Sequence, residues 1–145
     1  AALVAQEETD EQDGNILQGM RFLCAEDNEL NAEILETLLQ DKGIQYVRAE
    51  NGKEALDLFA ARPEGSFDAI LMDIMMPEMD GYEATRRIRS MKDRPDGEKI
   101  PIIAMTANAF AEDMQASLAA GMNAHLTKPI EIDSLMRTIS NQLKK

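Results

Sequence analysis

From Met20 onward, short apolar runs alternate with segments whose apolar residues recur every three or four positions. The runs are Arg21 to Ala25, Tyr46 to Ala49, Ala69 to Met72, Ile100 to Met105 and Ala124 to Leu126. Each is short and nearly continuous in apolar character, the pattern of a strand covered on both faces. Between the runs the period is helical. Leu30, Ile34, Leu35, Leu38 and Leu39 share one face of a first helix, with Asn28 as its N-cap and Gly43 as its stop. Ala55, Leu56 and Phe59 follow the Asn51-Gly52 turn in a second, and Tyr82, Ile88 and Met91 mark a third. Phe110, Met114 and Leu118 mark a fourth that ends at Gly121, and Ile132, Leu135, Ile139 and Leu143 a fifth. Strict alternation of strand and helix predicts an α/β fold, a doubly wound parallel sheet with helices on both faces.

Composition narrows the partners. At 145 residues the chain suits one domain with a full core. Residues 1–19 hold Glu7, Glu8, Asp10, Glu11 and Asp13 and no base, which reads as a disordered acidic tail or interdomain linker ahead of a globular domain at 20–145. The chain opens on Ala1 rather than Met, which suggests a piece of something longer. A net charge of -12 argues against nucleic acid or an anionic membrane surface as a partner. No apolar stretch reaches the ~20 residues that span a bilayer, and no signal-peptide pattern opens the chain. Cys24 is the single cysteine and sits in an apolar run, so a buried thiol in a reducing, cytoplasmic setting is expected, even if a parent protein is membrane-anchored. Met72, Met76 and Met105 lie in or beside strands and read as packing residues.

Four of the runs end near a polar residue: Glu26 and Asp27, Asp73, Thr106 and Lys128. In an open α/β sheet, ligands bind beyond the carboxyl ends of the strands, so these residues are candidates for one site. Three carboxylates brought together repel, and either a proton or a cation must relieve them. Oxygen donors without histidine or cysteine favour Mg²⁺; the lone Cys24 and lone His125 cannot build a typical zinc site. Adding the Lys128 ammonium and the Thr106 hydroxyl gives a site suited to a phosphoryl group, with a carboxylate as the nucleophile.

At this point the sequence resembles the response-regulator receiver domains of hybrid sensor histidine kinases, over about Met20 to Leu143. The resemblance is carried by Ala25-Glu26-Asp27-Asn28 with Asn31, by Leu71-Met72-Asp73-Ile74-Met75-Met76-Pro77 through Asp80-Gly81, by Ala104-Met105-Thr106-Ala107, and by Leu126-Thr127-Lys128-Pro129. It implies a flavodoxin-like fold with strand order 2-1-3-4-5 and a two-component phosphorelay function. Asp73 would accept a phosphoryl group from a phosphohistidine. Mg²⁺ would be held by Asp27, Asp73 and the Met75 carbonyl, with Glu26 acting through water. Lys128 and Thr106 would contact phosphoryl oxygens, the amides of Met75 and Ala107 would complete the cradle, and a cis Lys128-Pro129 bond would fix the lysine. Met75 and Asn108 would flank the pocket mouth and tune the phosphoaspartate lifetime.

The implied partners are a histidine kinase or a histidine phosphotransfer domain, with a weak homodimer through the fourth and fifth helical segments as a further expectation. As an isolated domain it would catalyse only its own phosphorylation and dephosphorylation. One position departs from the family. His125 stands where Tyr or Phe is usual, and there it could replace the ring of the switch that involves Thr106, act as a proton-sensitive group, or simply sit on the surface. Two other readings are an aspartate-nucleophile phosphatase, which would want an acid where Met75 stands, and an interaction module with a vestigial pocket.

Overall fold

The computed structural model describes residues 17–107 and 111–143. Its five strands are β1 (Arg21–Ala25), β2 (Gln45–Ala49), β3 (Ala69–Asp73), β4 (Ile102–Thr106) and β5 (Ala124–Thr127). The helices are α1 (Glu29–Asp41), α2 (Gly52–Ala61), α3 (Gly81–Arg89), α4 (Pro95–Lys99), α5 (Ala111–Ala120) and α6 (Ile132–Leu143). All strand pairs are parallel and the order is β2-β1-β3-β4-β5, the order the resemblance implies. None of the described helices is long and apolar enough to cross a membrane.

Side chains start the first three helices. Asn28, Asn51 and Asp80 are extended N-caps that accept hydrogen bonds from the amides of Asn31, Glu54 and Glu83. Each satisfies one of the amides a helix start leaves without a partner. The sheet then separates two cores, as alternation along a strand requires. Leu23, Ile70, Met72, Ile102 and Ala104 pack against Phe59 of α2 and Ile88 of α3 on one face. Phe22, Cys24, Leu71, Ile103 and Met105 pack against Leu35 and Leu39 of α1 and Leu135 and Ile139 of α6 on the other.

Three expectations need correction. First, Leu30 and Ile34 are 64% and 51% exposed; α1 buries Ala32, Leu35 and Leu39 instead. The apolar stripe is wider than the surface the sheet can cover. Second, Met114 and Leu118 are 45% and 62% exposed, because α5 turns the smaller Ser117 and Ala120 inward; Phe110 lies outside the described residues. Third, the fourth strand starts at Ile102, not Ile100, and Met91 lies beyond α3. The Ile100 amide closes the short helix α4 onto Asp96, and Pro101 has no amide to give a ladder. Helix α4, which the sequence does not signal, has no apolar period. It is held by Arg89, whose guanidinium donates to the carbonyls of Gly97 at 3.0 Å and Ile100 at 2.7 Å.

At the amino-terminal edge, Leu17 is fully buried, and the Gly19 amide donates to the Gly43 carbonyl at 2.8 Å. Residues 1–16 of the expected tail lie outside the described part.

Candidate functional site

Strand register builds the site. Ala25 pairs with Met72, so Glu26 and Asp27 leave β1 beside Asp73, the last residue of β3. Asp73 pairs with Met105 and Thr106 with Thr127, which sets Thr106 and Lys128 at the same end of the sheet. The loop after Asp73 is pulled back by the Gly81 amide, which donates to the Ile74 carbonyl at 2.9 Å.

The acids differ in environment. Glu26 and Asp73 are 1% and 4% exposed, whereas Asp27 is exposed. Their ligand oxygens lie within 4.8 Å of one another. The Lys128 ammonium is 2.8 Å from Glu26 Oε2 and donates to Asp73 Oδ2 at 2.9 Å. The other Glu26 oxygen accepts from the Asn28 amide at 3.2 Å. Burial pushes the Asp73 carboxyl up to about 6; the Lys128 hydrogen bond opposes this rise, and the Glu26 charge adds to it. Burial alone would lower Lys128, but its hydrogen bonds to Glu26 and Asp73 outweigh that and hold the ammonium above its ordinary value. Lysine offsets one of three negative charges and leaves an excess that suits a divalent ion.

The donor set fits Mg²⁺. The donors are carboxylate oxygens, the type a hard ion prefers, and Mg–O bonds of about 2.0–2.1 Å put opposite ligands roughly 4.2 Å apart, compatible with the spread of these oxygens.

Thr106 is buried, and its carbonyl accepts from the Lys128 amide at 2.7 Å. The Lys128-Pro129 bond is cis, as the resemblance implies. Met75 has a side chain that is 79% exposed, and Ala107 is exposed just past β4. Asn108 lies outside the described residues. His125 pairs with Ala104 and so shares a sheet face with Thr106. It is half-buried, and its Nε2 is shielded from solvent without a hydrogen-bond partner among the described residues.

Sequence reasoning missed Arg48. Its guanidinium donates to the Glu26 carbonyl from Nε at 3.2 Å and from Nη2 at 3.0 Å. The signal was present, since an arginine in the middle of the run Tyr46 to Ala49 breaks its apolar character.

A flavodoxin-like sheet with three acids and a lysine gathered at the carboxyl ends of its strands defines the receiver class of signalling domains. The response regulator receiver domain family matches residues 22–140, and the chain belongs to that family. The sensor histidine kinase GacS of Pseudomonas protegens is 39% identical over 119 residues, which is 82% of this chain and 13% of that protein. Histidine kinase 3 of Arabidopsis thaliana is 36% identical over 87% of this chain and 14% of its own length. The chain therefore spans about one seventh of these relatives. Among solved structures, the receiver domain of the sensor histidine kinase PA1611 from Pseudomonas aeruginosa, which has magnesium coordinated in its active site cleft, is 38% identical. It has a TM-score of 0.76, with 88% of this chain and 99% of that chain covered. The receiver domain of Ssk1 from Saccharomyces cerevisiae, crystallised with the phosphotransfer protein Ypd1, is 29% identical with a TM-score of 0.74, covering 87% and 90%. The chain is a receiver domain of two-component signalling, similar to the receivers of hybrid histidine kinases.

Proposed function

We propose that Asp73 takes a phosphoryl group from a phosphohistidine of a histidine kinase or a histidine phosphotransfer domain. The observation that carries this reading is a buried carboxylate at the end of β3 held between the Lys128 ammonium and two further acids. A carboxylate oxygen of Asp73 attacks phosphorus in line with the departing nitrogen. The P–N bond breaks, its electron pair returns to the imidazole, and an acyl phosphate remains on Asp73. Lys128 exchanges its contact with the bare carboxylate for one with a phosphoryl oxygen, while the Thr106 hydroxyl and the amides of Met75 and Ala107 hold the other oxygens. Asp27, Asp73 and the Met75 carbonyl, with Glu26 acting through water, would hold Mg²⁺, which would supply charge neutralisation there.

The donor must approach the end of the sheet. Exposed Ile34 of α1 lines a groove that also reaches Leu38, Pro129, Ile130 and Lys128, and this apolar rim supports docking of the phosphohistidine-bearing partner there. Output runs through Thr106 and His125 to α5, where exposed Met114 and Leu118 support a weak contact between two copies across the α5 and α6 face.

The test is label transfer. With a radiolabelled phosphohistidine donor and Mg²⁺, the domain takes up label that hydroxylamine removes, and chelation of the metal by EDTA stops uptake. Equal uptake in EDTA would sink this reading. Lys128→Met is expected to tighten Mg²⁺ binding by roughly tenfold, since a competing cation leaves the carboxylates, and to slow label uptake by about two orders of magnitude. Mg²⁺ titration of amide shifts and single-turnover kinetics check the two halves separately.

A further inference from the structure

We propose that Arg48 is a positioning residue for the metal-binding carboxylates, an inference that rests on the reading of this site as a Mg²⁺ centre. Arg48 lies on β2 opposite Cys24 of β1, two residues before Glu26. The ladder between these strands continues for one more bond, from the Glu26 amide to the Ala49 carbonyl at 3.1 Å. There β1 ends, and the chain must turn into α1 within Glu26, Asp27 and the N-cap Asn28. The guanidinium meets that turn. Two of its nitrogens converge on the Glu26 carbonyl at 3.2 and 3.0 Å, and Nη2 also reaches the Asp27 carbonyl at 3.5 Å.

These bonds go to the main chain, not to a carboxylate, so what Arg48 fixes is the direction of the peptide that carries both acids. Glu26 has its two carboxylate oxygens tied by Asn28 and Lys128. Asp27 is exposed, and the aim of its carboxylate depends on the backbone that Arg48 grips. A planar fork suits this task; a lysine offers a single point of contact.

The charge and the positioning of Arg48 act in opposite directions on Mg²⁺, which makes the two separable. A cation near the acids disfavours a second cation, so loss of the charge alone would tighten Mg²⁺ binding. Loss of an outer partner that orients ligands weakens it, typically by 10- to 100-fold. Arg48→Met is therefore expected to raise the Mg²⁺ dissociation constant about tenfold, with Arg48→Lys falling between it and the parent. In the metal-free protein, amide exchange at Asp27 and Asn28 is expected to speed up in Arg48→Met while exchange in the central strand β3 stays at the parent's rate. An unchanged or tighter Mg²⁺ affinity in Arg48→Met, or unchanged exchange at Asp27 and Asn28, overturns the proposal. If Arg48→Met does not fold, the same two measurements on Arg48→Lys decide, with affinity and exchange equal to the parent's counting against it. Failure of the parent itself to bind Mg²⁺ would instead refute the metal-centre reading, and the exchange rates would then judge Arg48 alone.

Discussion

Asp73→Asn is expected to abolish phosphoryl uptake and, without metal, to melt at a higher temperature than the parent. The first effect follows from chemistry, since an amide oxygen cannot form the acyl phosphate under these conditions. The second follows from the site's charge. Burial raises the folded-state carboxyl to about 6, and an unfolded aspartate titrates near 4. Between those values the folded protein binds more protons than the unfolded chain, so Asp73 lowers stability progressively as pH rises from about 4 through 6. Above that window the penalty is complete. A shift of roughly two units bounds it at about 3 kcal/mol, and solvent at the pocket mouth reduces this to about 1–2 kcal/mol. Thermal melts in EDTA at pH 7.5 and pH 5 check the sign. The gap between Asp73→Asn and the parent should be widest at the higher pH and close on acidification; a gap of constant size would count against the account. Added Mg²⁺ should narrow it too, by stabilising the parent.

Gly81→Ala is expected to cost about 2–4 kcal/mol and to disable the site together with the fold around it. A Cβ at Gly81 would run into the carbonyl oxygen of Asp73 and come within 3.0 Å of Ile74 Cα and Met72 Cγ. Two of these three neighbours are main-chain atoms of the segment that presents Asp73, so relief requires moving that segment. The Gly81 amide bond to the Ile74 carbonyl lengthens as a consequence. Urea unfolding measures the loss, and amide shifts at Asp73 report the displacement. A midpoint matching the parent's, with unshifted Asp73, would show that the loop yields without cost.

Much of the fold was legible because it rests on local periodicity. The five apolar runs became five strands, with ends shifted by at most two residues, since a run buried on both faces needs no knowledge of its neighbours. The candidate site was legible for a related reason: Asp73 and Lys128 stand where an apolar run stops, and the ends of parallel strands collect at one edge. Periodicity does not say how wide a helix face the sheet covers: Leu30 and Ile34 share the apolar period of α1, and Met114 and Leu118 that of α5, yet all four are exposed. It also missed α4, five polar-rich residues held by Arg89 of another helix through the carbonyls of Gly97 and of the capping residue Ile100.

The sequence by itself thus determined the order of the elements, the sign of the charge at the strand ends, and the kind of ligand that charge would suit, because each depends on residue type and local spacing. The tertiary structure alone decided that Lys128 sits between Glu26 and Asp73, across 55 residues of chain from the latter, and that Arg48 grips the carbonyl of Glu26 across 22. Those contacts depend on strand register, and register is set by how whole strands pack against their neighbours.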